Sequence, residues 1–276
     1  MTIDRTTMLG IARAERERLG RTIQYAPPDT WDADSVCAGW RNRDLVAHLA
    51  AQETAAAQLL NGDPAVEFDA FRDANSGELW VSGFNEWAIT VRADASSRDL
   101  VTSWGRAADA LLILASRLSE ERWRTDRAAW VAGDIGVRYL IQSRIIEWWY
   151  HGEDIRDGAA LGPNLQHWPI HLANDLGIRM LPYALGLAGL AYVGKSIQVD
   201  LEGMGGGSWH WGLEPSESPP EDKKPDAFVQ GRALAFALVA GRRMPASAYL
   251  DDGNLVVGGD EGIALAVLEH VRAFVE

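Results

Sequence analysis

The hydrophobic period of this 276-residue chain changes once, near Tyr192, and that change limits the fold more than any single residue does. Up to about Leu187, apolar residues recur at the three-and-four spacing of amphipathic helices. Beyond Tyr192 they alternate, as on strands with one covered face. The two patterns in succession predict an all-helical domain over residues 1–190 and a smaller α+β domain over residues 191–276. Helices are expected over residues 4–21, 42–60, 84–95, 99–118, 137–156 and 170–187. Pro27-Pro28 ends the first, Asn61-Gly62 the second, and Ser96-Ser97 offers caps for the fourth. The second part reads as a hairpin, 196–201 with 208–213, turning at a glycine run over 203–207. A Pro- and Ser-rich loop over 214–225 follows, then a strand over 227–229, a helix over 232–240, a strand over 255–257 and a closing helix over 261–275.

Charge and cysteine content narrow the partners and the chemistry. Lys and Arg number 26 against 39 Asp and Glu, a net charge of −13, and such a surface repels phosphate backbones, so nucleic acid is not an expected partner. The single cysteine, Cys37, excludes an internal disulfide and a Cys-x-x-Cys site. The first twenty residues lack the apolar core of a secretory signal. The longest uncharged stretch, residues 180–194, is broken by Pro182 and three glycines. It falls short of the roughly 18 apolar residues that a membrane span needs. A cytoplasmic protein without a membrane partner is expected, as a monomer or homodimer. Twelve tryptophans point to a core or pocket lined by large flat surfaces.

Two helices carry the chemistry. Leu45, His48, Gln52, Ala55 and Leu59 form one stripe of the second helix, so His48 points inward with the apolar face. Glu147 and His151, one turn apart, share a face of the fifth helix, with Asp154 a turn further on. Polar groups aimed at a bundle core are costly unless satisfied, and a divalent metal satisfies several at once. Two imidazoles and one carboxylate suit zinc with one coordination position open, and Asp154 could orient an imidazole from behind. The same spacing also fits a metal-free network in which His48 is a hydrogen-bonded core histidine and Glu147 pairs with Arg144 or His151.

The string Trp40-Arg41-Asn42-Arg43-Asp44-Leu45-Val46-Ala47-His48-Leu49 and the later block from Arg144 to Ile155 together resemble the mycothiol-dependent maleylpyruvate isomerase family. The resemblance implies a DinB-like four-helix bundle that binds a divalent metal, usually zinc, through His48, Glu147 and His151. It also implies a sterol-carrier-like α+β second domain, matched by Val229-Gln230-Gly231, Ala240-Gly241-Arg242-Arg243 and Gly258-Gly259-Asp260. It assigns a catalytic arginine to that second domain; Arg242 is the nearest match, with Arg232 and Arg243 as competitors. The implied activity is a thiol-dependent isomerase or transferase, with mycothiol or a similar low-molecular-weight thiol as cofactor and a small electrophile as substrate. Two other readings remain open: a ligand-binding or regulatory protein with a structural metal, and a hydrolase using zinc-bound hydroxide. The bulky Trp148-Trp149-Tyr150 between the helical ligands is expected to narrow or reshape the pocket.

Other motifs point elsewhere and lack their context. The segment from Gly189 to Ser196 has the spacing Gly-x-x-x-x-Gly-Lys-Ser, but a helix precedes it and a strand follows, the reverse of a phosphate loop. His167 and His171 are read as surface or cap residues, His210 as a solvent-face or pocket-wall residue. Cys37 is read as a small apolar residue with no basic partner nearby in sequence.

Overall fold

The structure, a computed structural model, describes residues 3–74, 79–131, 133–214 and 224–274. Its contacts form two compact units, one ending at Asn164 and one running from Leu165 to Phe274.

In the first unit four long helices form the bundle: α1 (Arg5–Tyr25), α2 (Asn42–Asn61), α5 (Ser97–Arg117) and α7 (Val137–Gly158). Each of α1 and α2 packs against both α5 and α7. Local signals set the ends. Asp4 accepts the Thr7 N–H at 2.9 Å, Ser96 accepts that of Asp99 at 3.1 Å, and Gly62 closes α2 in the left-handed conformation at φ 80°. Between α2 and α5 lie α3 (Val66–Ala74) and α4 (Leu79–Thr90); α6 (Glu120–Thr125) and the hairpin β1 (Arg127–Trp130) and β2 (Gly133–Gly136) precede α7. The sequence reading lacked α3, α6 and this hairpin, because each is too short to show a period. Part of the tryptophan content is spent here. Phe68 stacks on Trp130, with ring centroids 4.9 Å apart and planes 15° apart, and meets Trp80 and Phe84 edge-on.

The second unit opens with α8 (His167–Arg179) and α9 (Leu181–Leu187), where one helix was expected. Pro182 has no N–H to continue the ladder from α8, so the chain restarts at Met180. A mixed sheet follows in the order β4-β3-β5-β6, from β3 (Ser196–Glu202), β4 (Gly207–Gly212), β5 (Ala227–Arg232) and β6 (Leu255–Gly259). The β3/β4 hairpin is antiparallel, β3 and β5 are parallel, and β5/β6 is antiparallel. Ile197, Val199, Leu201 and Val229 are buried beneath α10 (Ala233–Ala240) and α12 (Glu261–His270), while the short α11 (Ala246–Asp251) lies beside β6. The expected loop over 214–225 falls mostly outside the described residues.

The sequence reading put the division near residue 190, whereas these contacts group α8 and α9 with the sheet. The reason is packing: α8 lies on α10 and β4, and α9 on α12. Gly205 shows how closely α8 fits. At φ 84°, a Cβ there would come within 2.3 Å of the Ile170 side chain. Asn174 donates to the carbonyls of Gly205 and Ala233, His167 Nδ1 accepts the Gly205 N–H at 3.2 Å, and His171 donates to Gly206 O at 3.1 Å. The histidine pair thus clamps the glycine turn. Among the described residues no helix is long and apolar enough to cross a membrane.

Candidate metal centre

The helical stripe of α2 carries His48 into the bundle, 5% exposed, opposite the face of α7 that bears Glu147 and His151. Glu147 Oε2 lies 3.1 Å from His151 Nε2 and 3.5 Å from His48 Nε2. The two imidazoles meet nearly at right angles, with centroids 5.2 Å apart. All three donor atoms lie within 4.8 Å of one another. Around a tetrahedral ion with bonds of 2.0–2.1 Å, donors are spaced by about 3.3 Å, so the three need little movement to share one.

The far side of each ring settles its tautomer. His48 Nδ1 lies 3.0 Å from Asn85 Oδ1, which also accepts the Gln52 amide at 3.0 Å. His151 Nδ1 lies 3.0 Å from Asp154 Oδ2. Both partner oxygens only accept, so each Nδ1 carries a proton, which leaves Nε2 of each ring as the atom able to ligate. Oxygen acceptors behind metal-ligating imidazoles are the arrangement that metal sites use to hold ring and tautomer. The donor set therefore fits a divalent cation.

Electrostatics in the metal-free site follow from burial and these contacts. Burial holds the His48 pKa below the usual histidine value, so this ring is neutral. Burial opposes charge on Glu147 and His151 as well, but is outweighed. The hydrogen bond from His151 and the charge of the nearby Arg144 hold Glu147 well below the usual carboxylate range. Asp154, Cys37 and Glu147 hold His151 well above the usual histidine value. The metal-free pair is thus a carboxylate and an imidazolium, and a cation must displace the His151 proton to bind.

The metal-free alternative named Arg144 and His151 as partners of Glu147, and both pairings are present. Arg144 Nη2 lies 3.5 Å from Glu147 Oε1, and Nη1 lies 3.8 Å from Glu53. Glu53, fully buried, accepts the Trp148 indole N–H at 2.7 Å. Burial pushes its pKa up to about 7 against the pull of Arg144 and that N–H. Trp148 is therefore turned toward Glu53, and Trp149 donates to Asn164 O at 3.1 Å with Tyr150 packed against it. Three residues between two ligands one turn apart occupy other faces of α7.

Several contributors escaped the sequence reading. Asn85 had no signal; Gln52 lay on the His48 stripe without an assigned role. Cys37 lies 3.9 Å from Asp154 Oδ2 and, with His151 and Asp154, forms a second group of closely spaced donor atoms. A tight loop brings it there: Ser35 N–H bonds Trp40 O at 2.8 Å, Asn42 N–H bonds Ala33 O at 3.0 Å, and Trp40 packs on the His48 ring.

In the second unit, Arg242 stands at the end of α10 with φ 58°, one of two non-glycine residues among those described with positive φ. It lines a cavity of about 610 Å³ together with Arg243, Met244, Leu250, Leu265 and Leu268, and its Nη1 donates to Glu269 O at 3.0 Å. Of its competitors, Arg232 is ion-paired with Glu202 at 3.2 Å, and Arg243 donates to Gly241 O and lies over the Phe274 ring. Lys195 of the phosphate-loop-like segment is paired with Asp226 at 2.9 Å, and Ser196 begins β3 rather than a helix.

Comparison with known proteins agrees with this architecture. Two uncharacterized proteins of Mycobacterium tuberculosis, from strains CDC 1551 and H37Rv, are each 26% identical over 205 residues, 72% of this chain and 74% of theirs. The crystal structure of the mycothiol-dependent maleylpyruvate isomerase superposes with a TM-score of 0.62 at 16% identity. A histidine-to-alanine mutant of it gives 0.60, and each match covers 88% of this chain and 92% of the other. At that identity the likeness shows the fold: a helical bundle followed by an α+β domain. The family described as the mycothiol maleylpyruvate isomerase N-terminal domain matches residues 12–156, more than half of the chain and the whole span from His48 to His151. The chain belongs to the mycothiol maleylpyruvate isomerase family.

Proposed function

We propose that this protein is a metal-dependent enzyme that uses a low-molecular-weight thiol, mycothiol, to isomerise or to S-conjugate a small electrophile. The observation that carries the reading is the convergence of His48 Nε2, His151 Nε2 and Glu147 Oε2, with an oxygen acceptor behind each imidazole. A divalent ion held by these three residues, zinc by their chemistry, would supply positive charge that lowers the pKa of a thiol at the open position. Asn85 and Asp154 would keep the two rings in the ligating tautomer, and His151 would give up its Nε2 proton to act as a ligand. The thiolate would then add to an activated double bond to give a stabilised carbanion; rotation about the new single bond and expulsion of the thiolate would give the isomer, whereas protonation of the carbanion from solvent would give the conjugate. Arg242 is proposed as the cation that holds a carboxylate of the electrophile.

Metal analysis with a turnover assay tests this. We expect about one divalent ion per chain, lost in His48→Ala and His151→Ala with helical circular dichroism retained, and turnover only when thiol is added. Undiminished metal in both variants would overturn the site. Thiol-independent hydrolysis would favour a zinc hydroxide instead, and tight binding of apolar ligands without turnover would favour a ligand-binding role for the cavity of the second unit.

A further inference from the structure

We infer that Arg144 is a positioning residue of the metal centre, holding Glu147 from behind so that this carboxylate ligates through Oε2 alone. The inference rests on the metal reading above and adds to it a specific control over the ligand field.

The two oxygens of Glu147 face different groups. Oε2 is directed at the two imidazole Nε2 atoms, at 3.1 and 3.5 Å, while Oε1 faces Arg144 Nη2 at 3.5 Å. Arg144 is itself held. It is 2% exposed, its guanidinium carbon lies 5.2 Å from the centre of the Trp130 ring, and Glu53 stands 3.8 Å from Nη1. Packing alone does not explain an arginine at this place. Its Nε and Nη1 are buried without a hydrogen-bond partner, as is Glu53 Oε2, and a well-packed apolar side chain of similar volume serves a core at least as well as an incompletely satisfied ion pair. What the guanidinium does accomplish is electrostatic. It occupies the oxygen that would otherwise swing onto the cation, and it withdraws negative charge from the only anionic ligand. A centre with two neutral imidazoles and a partly neutralised carboxylate keeps more of its positive charge for an incoming thiol.

The test uses the full-length protein loaded with cobalt(II), comparing wild type with Arg144→Met, Arg144→Gln and Arg144→Lys, and 2-mercaptoethanol as thiol probe. Thiol binding is followed through the sulfur-to-cobalt charge-transfer band as a function of pH. In the neutral variants the pH midpoint for thiol binding should rise by about one unit, the usual effect of removing a nearby charge. The visible cobalt bands should also weaken as Glu147 becomes bidentate and the coordination number increases. Arg144→Lys, which keeps the charge but not the fork, should recover part of the midpoint shift. Cobalt affinity, measured by chelator competition, should be unchanged or tighter, which a merely structural loss would not produce. If Arg144→Met fails to fold, Arg144→Gln carries the comparison. An unchanged midpoint and unchanged visible bands in a variant that binds one cobalt per chain would overturn the inference while leaving the metal reading intact; absence of cobalt binding in wild type would overturn the metal reading itself.

Discussion

Replacing Arg242 by glycine and by alanine separates the strain of its backbone from the use of its side chain. Arg242 occupies the second position beyond α10, just after the cap residue Gly241, where its N–H bonds Val239 O at 3.0 Å and the Arg243 N–H reaches Leu238 O at 2.9 Å. This pair of bonds is the motif that usually places glycine at the left-handed position. A side chain at φ 58° there carries a penalty of about 1–2 kcal/mol. Glycine removes that penalty but gives back about 0.5–1 kcal/mol through the greater freedom of the unfolded chain. Alanine keeps the strain, and both variants lose the Nη1 bond to Glu269 O, which cancels between them. The glycine variant should therefore be more stable than the alanine variant by about 0.5–1 kcal/mol, or about 1–4 °C in melting temperature for a chain of this size. Urea denaturation and calorimetry measure the difference, and turnover is read on the same samples. Both variants should lose thiol-dependent turnover of a carboxylate-bearing electrophile at least tenfold, with metal content unchanged, since removing a charged hydrogen-bond partner costs about 1.5–3 kcal/mol of binding. An alanine variant as stable as the glycine variant would refute the backbone argument. Full turnover in both would refute the assignment of Arg242.

Two further outcomes are expected. Asn85→Ala leaves His48 Nδ1 without its acceptor, so the ring loses its fixed tautomer and zinc affinity, measured by chelator competition, should fall by about 10- to 100-fold while the helical signal remains. In metal-free protein, Glu53 holds its proton up to about pH 7 when folded against 4.5 as the ordinary value. Its folded pKa is raised, so its relative stabilisation is present below about 4.5 and is lost as pH rises through about 7. Denaturation curves of wild type and Glu53→Gln should diverge over that window, wild type losing up to about 3 kcal/mol more; parallel curves would show that Glu53 is ionised throughout.

The candidate ligands were legible because their order along the helices is periodic. His48 shares a stripe with Leu45 and Gln52, and Glu147 and His151 differ by one turn, so spacing alone placed them on inward faces. Their supports were not legible in the same way. Asn85 reaches His48 across 37 residues and Cys37 reaches Asp154 across 117, contacts that no local pattern encodes. The change of period near Tyr192 marks where strands begin, which is different from where one packed unit gives way to the next. α8 and α9 read as helices like those before them, and only their packing on α10, β4 and α12 groups them with the sheet. Pro182 was visible in the sequence, yet the apolar residues on both sides carry a helical period through it, which hid the break between α8 and α9.

Glu147 and His151 come from one turn of one helix, but His48 arrives from 99 residues away. A nascent chain that has emerged only through α5 holds none of the α7 ligands, and a formed but undocked α7 offers a cation just two weak contacts. On the proposed site, capture by all three residues would follow closure of α2 against α7. By the same logic, an ion held by all three residues would be released only as contacts across that seam are lost, so its spontaneous dissociation rate would report a local parting of α2 and α7 that equilibrium unfolding would not reveal.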